Sequence, residues 1–202
     1  FFETGWRLSQ TGEEDKGYSS TLGTNNLAKY ATEFGLSKPS GIEIAETEPK
    51  ISDEASVPSA IGQGTNNYTT TQLAKYIDGI ATRGKVYDLT LLDRVESKKG
   101  KVIKTFDNKL SNEITNLSDD NWNAVQSGMV GVIPNNFNSV FSELTSNGIS
   151  IASKSGTAQQ SKKNPDHALY VGYAPATNPE ITFAIRMTNG YTSTYAAEVS
   201  SD

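Results

Sequence analysis

The chain has 202 residues with 18 basic and 23 acidic side chains, and its formal net charge is −5. It has no cysteine and one histidine, His167, which excludes disulfides, thiolate ligands and a cysteine nucleophile and leaves too few imidazoles for a zinc site. The charge balance gives no electrostatic footprint for nucleic acid, and no apolar run is long enough to span a membrane. The composition predicts neither a metal nor another cofactor.

The first part of the chain is predicted to be mostly helical. Phe2 and Trp6 lie four apart and indicate a helix over residues 1–8 with an apolar face. A second helix is predicted over residues 25–34, with Gly35 as its C-terminal cap. We expect Trp6 to lie in the core.

A clearer helix follows after a loop at residues 38–54. Thr69 and Gln72 have the spacing of a capping box, and Leu73, Ile77 and Ile80 have the spacing of a buried stripe. Gly84 is expected to end this helix.

Residues 89–95 and 101–106 are predicted to form a hairpin, because turn residues separate two apolar segments. A further helix is predicted to begin at Ser118 and to bury Trp122, Val125 and Met129.

The last third predicts three strands, at residues 149–157, 167–174 and 180–188. A short loop joins the last two, so they should pair antiparallel. Helices followed by an antiparallel sheet place the chain in the α+β class.

The sequence KSGT at 154–157 is unusual for a strand. Because side chains alternate, Lys154 and Gly156 should share one face, and Ser155 and Thr157 the other. Glycine lets a ligand approach the backbone, and lysine offers positive charge to an anion. On an edge strand, this segment could therefore accept an extended peptide and its carboxylate. Lysine, serine and glycine are also common in exposed edge strands that bind no ligand, so spacing alone leaves both interpretations open.

Four stretches together resemble the penicillin-binding proteins, of the class B type. KSGTAQ at 154–159 is similar to their Lys-Thr/Ser-Gly box. FGLSKPSGI at 34–42 resembles FGxGxPTGI, and DHALYVGYAP at 166–175 resembles DHAWFVGYAP. AIGQG at 60–64 with TTTQLA at 69–74 is similar to IGQG…TPLQLA. The stretches occur in family order and cover nearly the whole chain.

The resemblance implies part of the penicillin-binding and serine β-lactamase-like fold, and the activity of a peptidoglycan D,D-transpeptidase. In that family a serine forms an acyl-enzyme with a D-alanyl-D-alanine stem peptide, and β-lactams block the same serine. By this match Lys154 supplies positive potential and joins the proton network, and the backbone N–H of Thr157 is an oxyanion donor. The hydroxyls of Ser155 and Thr157 hold the substrate carboxylate, and Gly156 allows close backbone approach.

The chain departs from the family pattern in one respect. No serine is followed three residues later by lysine or two residues later by asparagine, so the Ser-x-x-Lys and Ser-x-Asn boxes are missing. We expect residues 1–202 to be an incomplete transpeptidase domain whose N-terminal part, with both boxes, lies upstream of Phe1. The chain alone should then be inactive, and the bare edge of strand 180–188 should pair with the missing part or with a second copy.

Several functional questions stay open at this stage. Within the fold, a β-lactam sensor or serine β-lactamase is the alternative, and a non-catalytic cell-wall scaffold is another. The resemblance implies the extracytoplasmic face of a bacterial membrane, through an anchor outside this chain, and cell-wall synthesis proteins as possible partners. We expect His167 to orient a strand through hydrogen bonds, and the glycines beside Gln63 to shape a loop.

Overall fold

The structure, a computed structural model, describes residues 1–12, 17–159 and 163–202. Helices and strands are grouped along these residues, as in an α+β chain: four helices come first, and the main antiparallel sheet lies near the end. The elements are α1 (Phe2–Leu8), α2 (Ser20–Glu33), α3 (Ser56–Ser59), α4 (Thr70–Ala81), β1 (Lys85–Asp88), β2 (Arg94–Glu96), β3 (Val102–Thr105), β4 (Lys109–Glu113), α5 (Asp119–Val130), the π-helical turn Ile133–Phe137, α6 (Ser142–Ser146), β5 (Ala152–Ala158), β6 (His167–Ala174), β7 (Ile181–Met187) and α7 (Ser193–Ser201).

Helices α1, α2 and α3 pack on one another as a small layer. Helix α2 begins five residues before the predicted start, because the Ser19 hydroxyl accepts a hydrogen bond from Leu22 N at 3.3 Å and caps it. Its predicted end is confirmed: Gly35 has a φ of +81°, and Leu36 N donates to Ala31 O at 2.9 Å.

Helix α4 has the predicted capping box. Gln72 N donates to the Thr69 hydroxyl at 3.2 Å, and Thr69 N donates to the Gln72 side-chain oxygen at 2.8 Å. Ile77 and Ile80 are buried, as the stripe predicts, and Leu73 is half-buried. The helix ends before Gly84, whose φ is +104°.

The predicted hairpin is partly wrong. Only β2 (Arg94–Glu96) forms in its first half, where it pairs antiparallel with β3. Residues 89–93 form no strand, because the Glu43 carboxylate accepts hydrogen bonds from the Thr90 hydroxyl at 2.5 Å and from Leu91 N at 2.9 Å and holds them as a loop. The β1–β4 pair on either side of this hairpin was not predicted.

Two residues predicted to be buried lie at the surface. Val125 on α5 is 49% exposed, although Trp122 and Met129 on the same helix are buried. Trp6 is 51% exposed and stacks on Tyr18, with the ring centroids 5.0 Å apart. A ring stacked at the surface removes much of its apolar area from water without entering the core.

The main sheet has the order β5-β6-β7, antiparallel throughout, and it confirms the predicted α+β fold. Strand β6 has the predicted bounds, whereas β5 begins three residues later than expected, at Ala152. One face packs around Tyr170 and is covered by α7, a helix that was not predicted. The other face packs around Tyr173 and is covered by α4 and α5.

Candidate active site

KSGT lies in the middle of β5, an edge strand. In the described part of the chain β5 pairs with β6 only, so its other edge is free of strand partners. Lys154 and Gly156 lie opposite Val171 and Leu169 on β6, and the two hydroxyl residues alternate with them. The strand thus presents its backbone and two sets of side chains at one border of the sheet.

The residue before the motif fixes this strand to the core. The Ser153 hydroxyl and the Tyr170 hydroxyl are 2.7 Å apart, and both residues are fully buried. Tyr170 stacks on Phe141 and Phe183, at centroid distances of 5.7 and 6.2 Å. The backbone position of Lys154 is therefore fixed through Ser153 by the Tyr170 side chain, which has little freedom to move.

Lys154 is exposed, and its amine stays close to the strand. The Nζ atom donates to Ser155 O at 2.6 Å and lies 5.6 Å from the centroid of the Phe1 ring. Desolvation by these surroundings lowers the pKa of Lys154 below its ordinary value. The amine is held where it can offer positive charge or exchange a proton along the free edge.

Gly156 has open space around its α-carbon. A Cβ built there would meet Leu169 Cβ at 3.5 Å, which is ordinary van der Waals contact. Its φ does not lie in the left-handed region. Neither packing nor backbone conformation therefore requires a glycine at this position.

The hydroxyls of Ser155 and Thr157 are available to a ligand. Neither makes a hydrogen bond to another side chain or backbone group within residues 1–12, 17–159 and 163–202. Ser155 is half-buried and Thr157 is exposed. Two unengaged hydroxyls on one face of an edge strand form a suitable site for a carboxylate, and Lys154 on the other face adds positive charge along the same edge.

His167 has the structural contact that was expected of it. Its Nδ1 atom accepts a hydrogen bond from Asn189 N at 3.0 Å, which ties the start of β6 to the turn after β7. Gln63 lies in a loop whose two glycines, Gly62 and Gly64, have φ values of +81° and +77°. The Asn66 side-chain amide donates to Gln63 O at 3.0 Å and closes the loop.

The contacts of Lys154 with Phe1 and of Ser153 with Tyr170 were not predicted, because both join segments that are far apart in the sequence.

Among the residues that the structure describes, no group of three or more potential metal ligands is found. None of the described helices combines the length and the hydrophobicity that crossing a bilayer requires.

A family model, described as the penicillin binding protein transpeptidase domain, matches residues 9–202. The peptidoglycan D,D-transpeptidase MrdA of Haemophilus influenzae is 26% identical in an alignment that covers 83% of this chain and 30% of that protein. The peptidoglycan D,D-transpeptidase PbpA of Mycolicibacterium smegmatis is 29% identical, in an alignment that covers 84% of this chain and 35% of that protein. The chain therefore spans about a third of the length of these relatives.

Solved structures give the same fold. The imipenem acyl-enzyme complex of penicillin-binding protein A from M. tuberculosis superposes with a TM-score of 0.76, at 24% identity over 89% of this chain and 41% of that one. Penicillin-binding protein 2B from Streptococcus pneumoniae superposes with a TM-score of 0.72, at 23% identity over 98% of this chain and 34% of that one.

Proposed function

The chain belongs to the transpeptidase domain family of the penicillin-binding proteins, and we propose that it forms the C-terminal part of a class B D,D-transpeptidase domain. The parent protein cross-links peptidoglycan stem peptides through a serine acyl-enzyme and is acylated by β-lactams. The observation that carries this proposal is the free edge of β5, where Lys154, two unengaged hydroxyls and the open backbone at Gly156 lie side by side.

The residues of β5 divide the work as follows. A stem peptide that ends in D-alanyl-D-alanine lies along the free edge, and the hydroxyls of Ser155 and Thr157 bind its terminal carboxylate. Thr157 N–H donates to the oxyanion that forms when the serine attacks, an interaction worth about 3 kcal/mol of barrier in other enzymes. Lys154 stabilises the negative charge and takes part in proton transfer.

The nucleophile comes from the part of the domain that precedes Phe1. The family resemblance puts the Ser-x-Asn box just upstream of Phe1, and the Phe1 ring lies 5.6 Å from Lys154 Nζ. A few residues of extended chain span about 10 Å. The Ser-x-Asn box is therefore within reach of the lysine, as a shared proton network requires.

The substrate and its location follow from this function. The protein binds the D-alanyl-D-alanine end of stem peptides and β-lactams that imitate it, at the extracytoplasmic face of the membrane. Other cell-wall synthesis proteins are its partners in the cell. The membrane anchor belongs to the rest of the parent protein.

Labelled penicillin tests the proposal in the full-length protein. We expect Lys154→Ala to abolish acylation, and Thr157→Val to slow it about 10- to 100-fold because it removes a hydrogen bond to a carboxylate and keeps the backbone N–H. Thr105→Val on β3 changes another exposed strand threonine and should leave the rate unchanged. Acylation that is insensitive to both site variants would refute the assignment, and rapid hydrolysis of the acyl-enzyme would favour a β-lactamase.

The isolated 202-residue chain should form no covalent adduct with the same penicillin. A stoichiometric adduct seen by mass spectrometry would show that a serine within these residues is a nucleophile.

A further inference from the structure

The hairpin formed by β2 and β3 projects from the rest of the molecule. Every residue of both strands is exposed, and neither strand packs extensively on another helix or strand of the described residues. Because the sheet has only two strands, both outer edges carry unpaired backbone groups. Such an isolated hairpin is only marginally stable in water unless something packs on it.

Several exposed side chains of the hairpin are apolar. Val95 and Val102 are each exposed by close to half, and Ile103 is 66% exposed. Leu91 and Leu92, on the segment that leads into β2, are also exposed. Ile103 and Val102 are neighbours in β3 and therefore lie on opposite faces of the hairpin. Exposed apolar side chains on both faces of a projecting element indicate an interaction surface.

The hairpin is also basic in an acidic chain. Residues 94–104 contain five basic side chains and one acidic one, a net charge of +4, against −5 for the whole chain. Arg94 is neutralised by Asp93 and Glu96, at 3.0 and 2.5 Å. The lysines of the turn, Lys98, Lys99 and Lys101, have no ion-pair partner within the described ranges.

We propose that this hairpin, residues 94–105, binds an acidic, extended segment of a partner protein, which adds to the hairpin as a third strand. Its backbone would pair with a free edge, its carboxylates would face the turn lysines, and its apolar side chains would cover Ile103. This surface is separate from the proposed active site on β5, and the inference does not depend on the proposed function.

A polypeptide can match the unpaired strand edges, the exposed apolar side chains and the lysines of this surface at once. An anionic polymer or a membrane surface would match the charge, but neither offers backbone N–H and C=O groups to a strand edge. A second copy of this chain would have to supply an acidic strand of its own. These three alternatives are outcomes of the test.

The test uses the full-length protein and a fluorescent, end-blocked peptide in which valine and glutamate alternate, read by anisotropy at low salt. A matching peptide with lysine for glutamate tests the charge, and a glutamate-only peptide tests the apolar contacts. A peptide N-methylated at alternate residues tests backbone pairing, because it keeps the charge and lacks half of the N–H donors. Phosphatidylglycerol vesicles and sedimentation test membrane binding and self-association.

We expect the valine–glutamate peptide to bind about tenfold or more tightly than each matched peptide. Lys98→Glu/Lys99→Glu/Lys101→Glu should weaken binding by a similar factor, and Ile103→Ser by less. The control Lys29→Glu/Lys38→Glu/Lys85→Glu makes the same charge change at exposed lysines elsewhere and should bind within about twofold of the unmodified protein.

Equal binding of the N-methylated or glutamate-only peptide would overturn the proposal in favour of an unspecific anion surface. Binding to the vesicles but not to the peptide would overturn it in favour of a membrane. Self-association that Lys98→Glu/Lys99→Glu/Lys101→Glu abolishes would overturn it in favour of a second copy. No binding of the valine–glutamate peptide to the folded unmodified protein would also overturn it.

Discussion

Gly156 and Gly172 lie on neighbouring strands and differ in what a side chain would meet. At Gly172 a Cβ would lie 2.5 Å from Ala152 O and 2.7 Å from Phe183 Cζ, so packing requires the glycine. At Gly156 the nearest atom is 3.5 Å away. If Gly156 is necessary, the reason is a ligand and not the fold.

Alanine at each position should separate these two roles. We expect Gly172→Ala to lower the free energy of unfolding by about 2 kcal/mol through overpacking. Gly156→Ala should leave thermal unfolding nearly unchanged and still slow penicillin acylation in the full-length protein. Loss of stability in Gly156→Ala equal to that in Gly172→Ala would contradict this reading of the strand.

The bond between Ser153 and Tyr170 supplies a second residue-scale prediction. Ser153→Ala or Tyr170→Phe leaves a buried hydroxyl without its partner, and each should cost about 2 kcal/mol of unfolding free energy. The double variant should cost clearly less than the sum, because it removes both polar groups. Denaturant unfolding of the three variants measures this coupling, and strict additivity would contradict it.

The location of KSGT on a strand could be predicted from the sequence, and so could the alternation of its side chains across that strand. The burial of single residues was less predictable. Val125 fits the helical stripe of Trp122 and Met129, but periodicity gives only a direction, and the neighbouring elements decide how far that direction is covered. For the same reason the contact of Lys154 with Phe1 left no local signal.

At the scale of elements, an ion pair between a buried lysine and a half-buried aspartate joins α4 to β1. Lys75 Nζ lies 2.7 Å from an Asp88 carboxylate oxygen, and the side chains are 4% and 31% exposed. Desolvation alone would raise the pKa of Asp88. Hydrogen bonds from Lys75 and Ser111, with the charges of Lys75 and Lys109, together outweigh it and hold that pKa below its ordinary value.

We expect Asp88→Asn to destabilise the fold more than Lys75→Met. The first leaves an almost fully buried ammonium without its counter-charge and should cost about 3 kcal/mol, whereas the second leaves a carboxylate that water can still reach. Because the folded-state pKa of Asp88 is lowered, its contribution is present above about pH 4 and is lost as the pH falls through the folded value. The free energy of unfolding, measured with urea, should therefore fall less steeply at acid pH in Asp88→Asn than in the unmodified chain. Identical pH profiles of the two proteins would contradict the assignment.

Elements with local signals were predicted well, and those that depend on tertiary partners were not. The capping box of α4 and the bounds of β6 follow from short-range chemistry. The first turn of α2 contains Thr21 and Gly23, which helix propensity disfavours. Gly23 is nevertheless required, because a Cβ there would lie 2.1 Å from Ser9 Oγ. Helix α7 buries only two small residues, Ala196 and Ala197, which is too weak a pattern to reveal it.

For the whole molecule, the second free border of the main sheet has a different significance from the first. In the described residues β7 pairs with β6 only. Its first residue, Ile181, is 66% exposed, and Phe183 and Ile185 already pack on the core. Arg186 is the one charged side chain of β7, and the unpaired edge over residues 181–185 carries none. An apolar strand edge of this kind recruits another strand. We propose that this strand comes from the N-terminal part of the same domain, as the family resemblance implies.

The isolated chain should therefore self-associate through β7 and lose this tendency when the N-terminal part is added. Ile181→Lys puts a charge on the edge and should shift the sedimentation profile toward monomer, since edge lysines oppose strand pairing. Ile149→Lys is the matched control, because Ile149 is exposed and lies outside the sheet. If the unmodified chain stays monomeric up to about 1 mM, or if both variants act alike, the free edge of β7 is not what drives assembly.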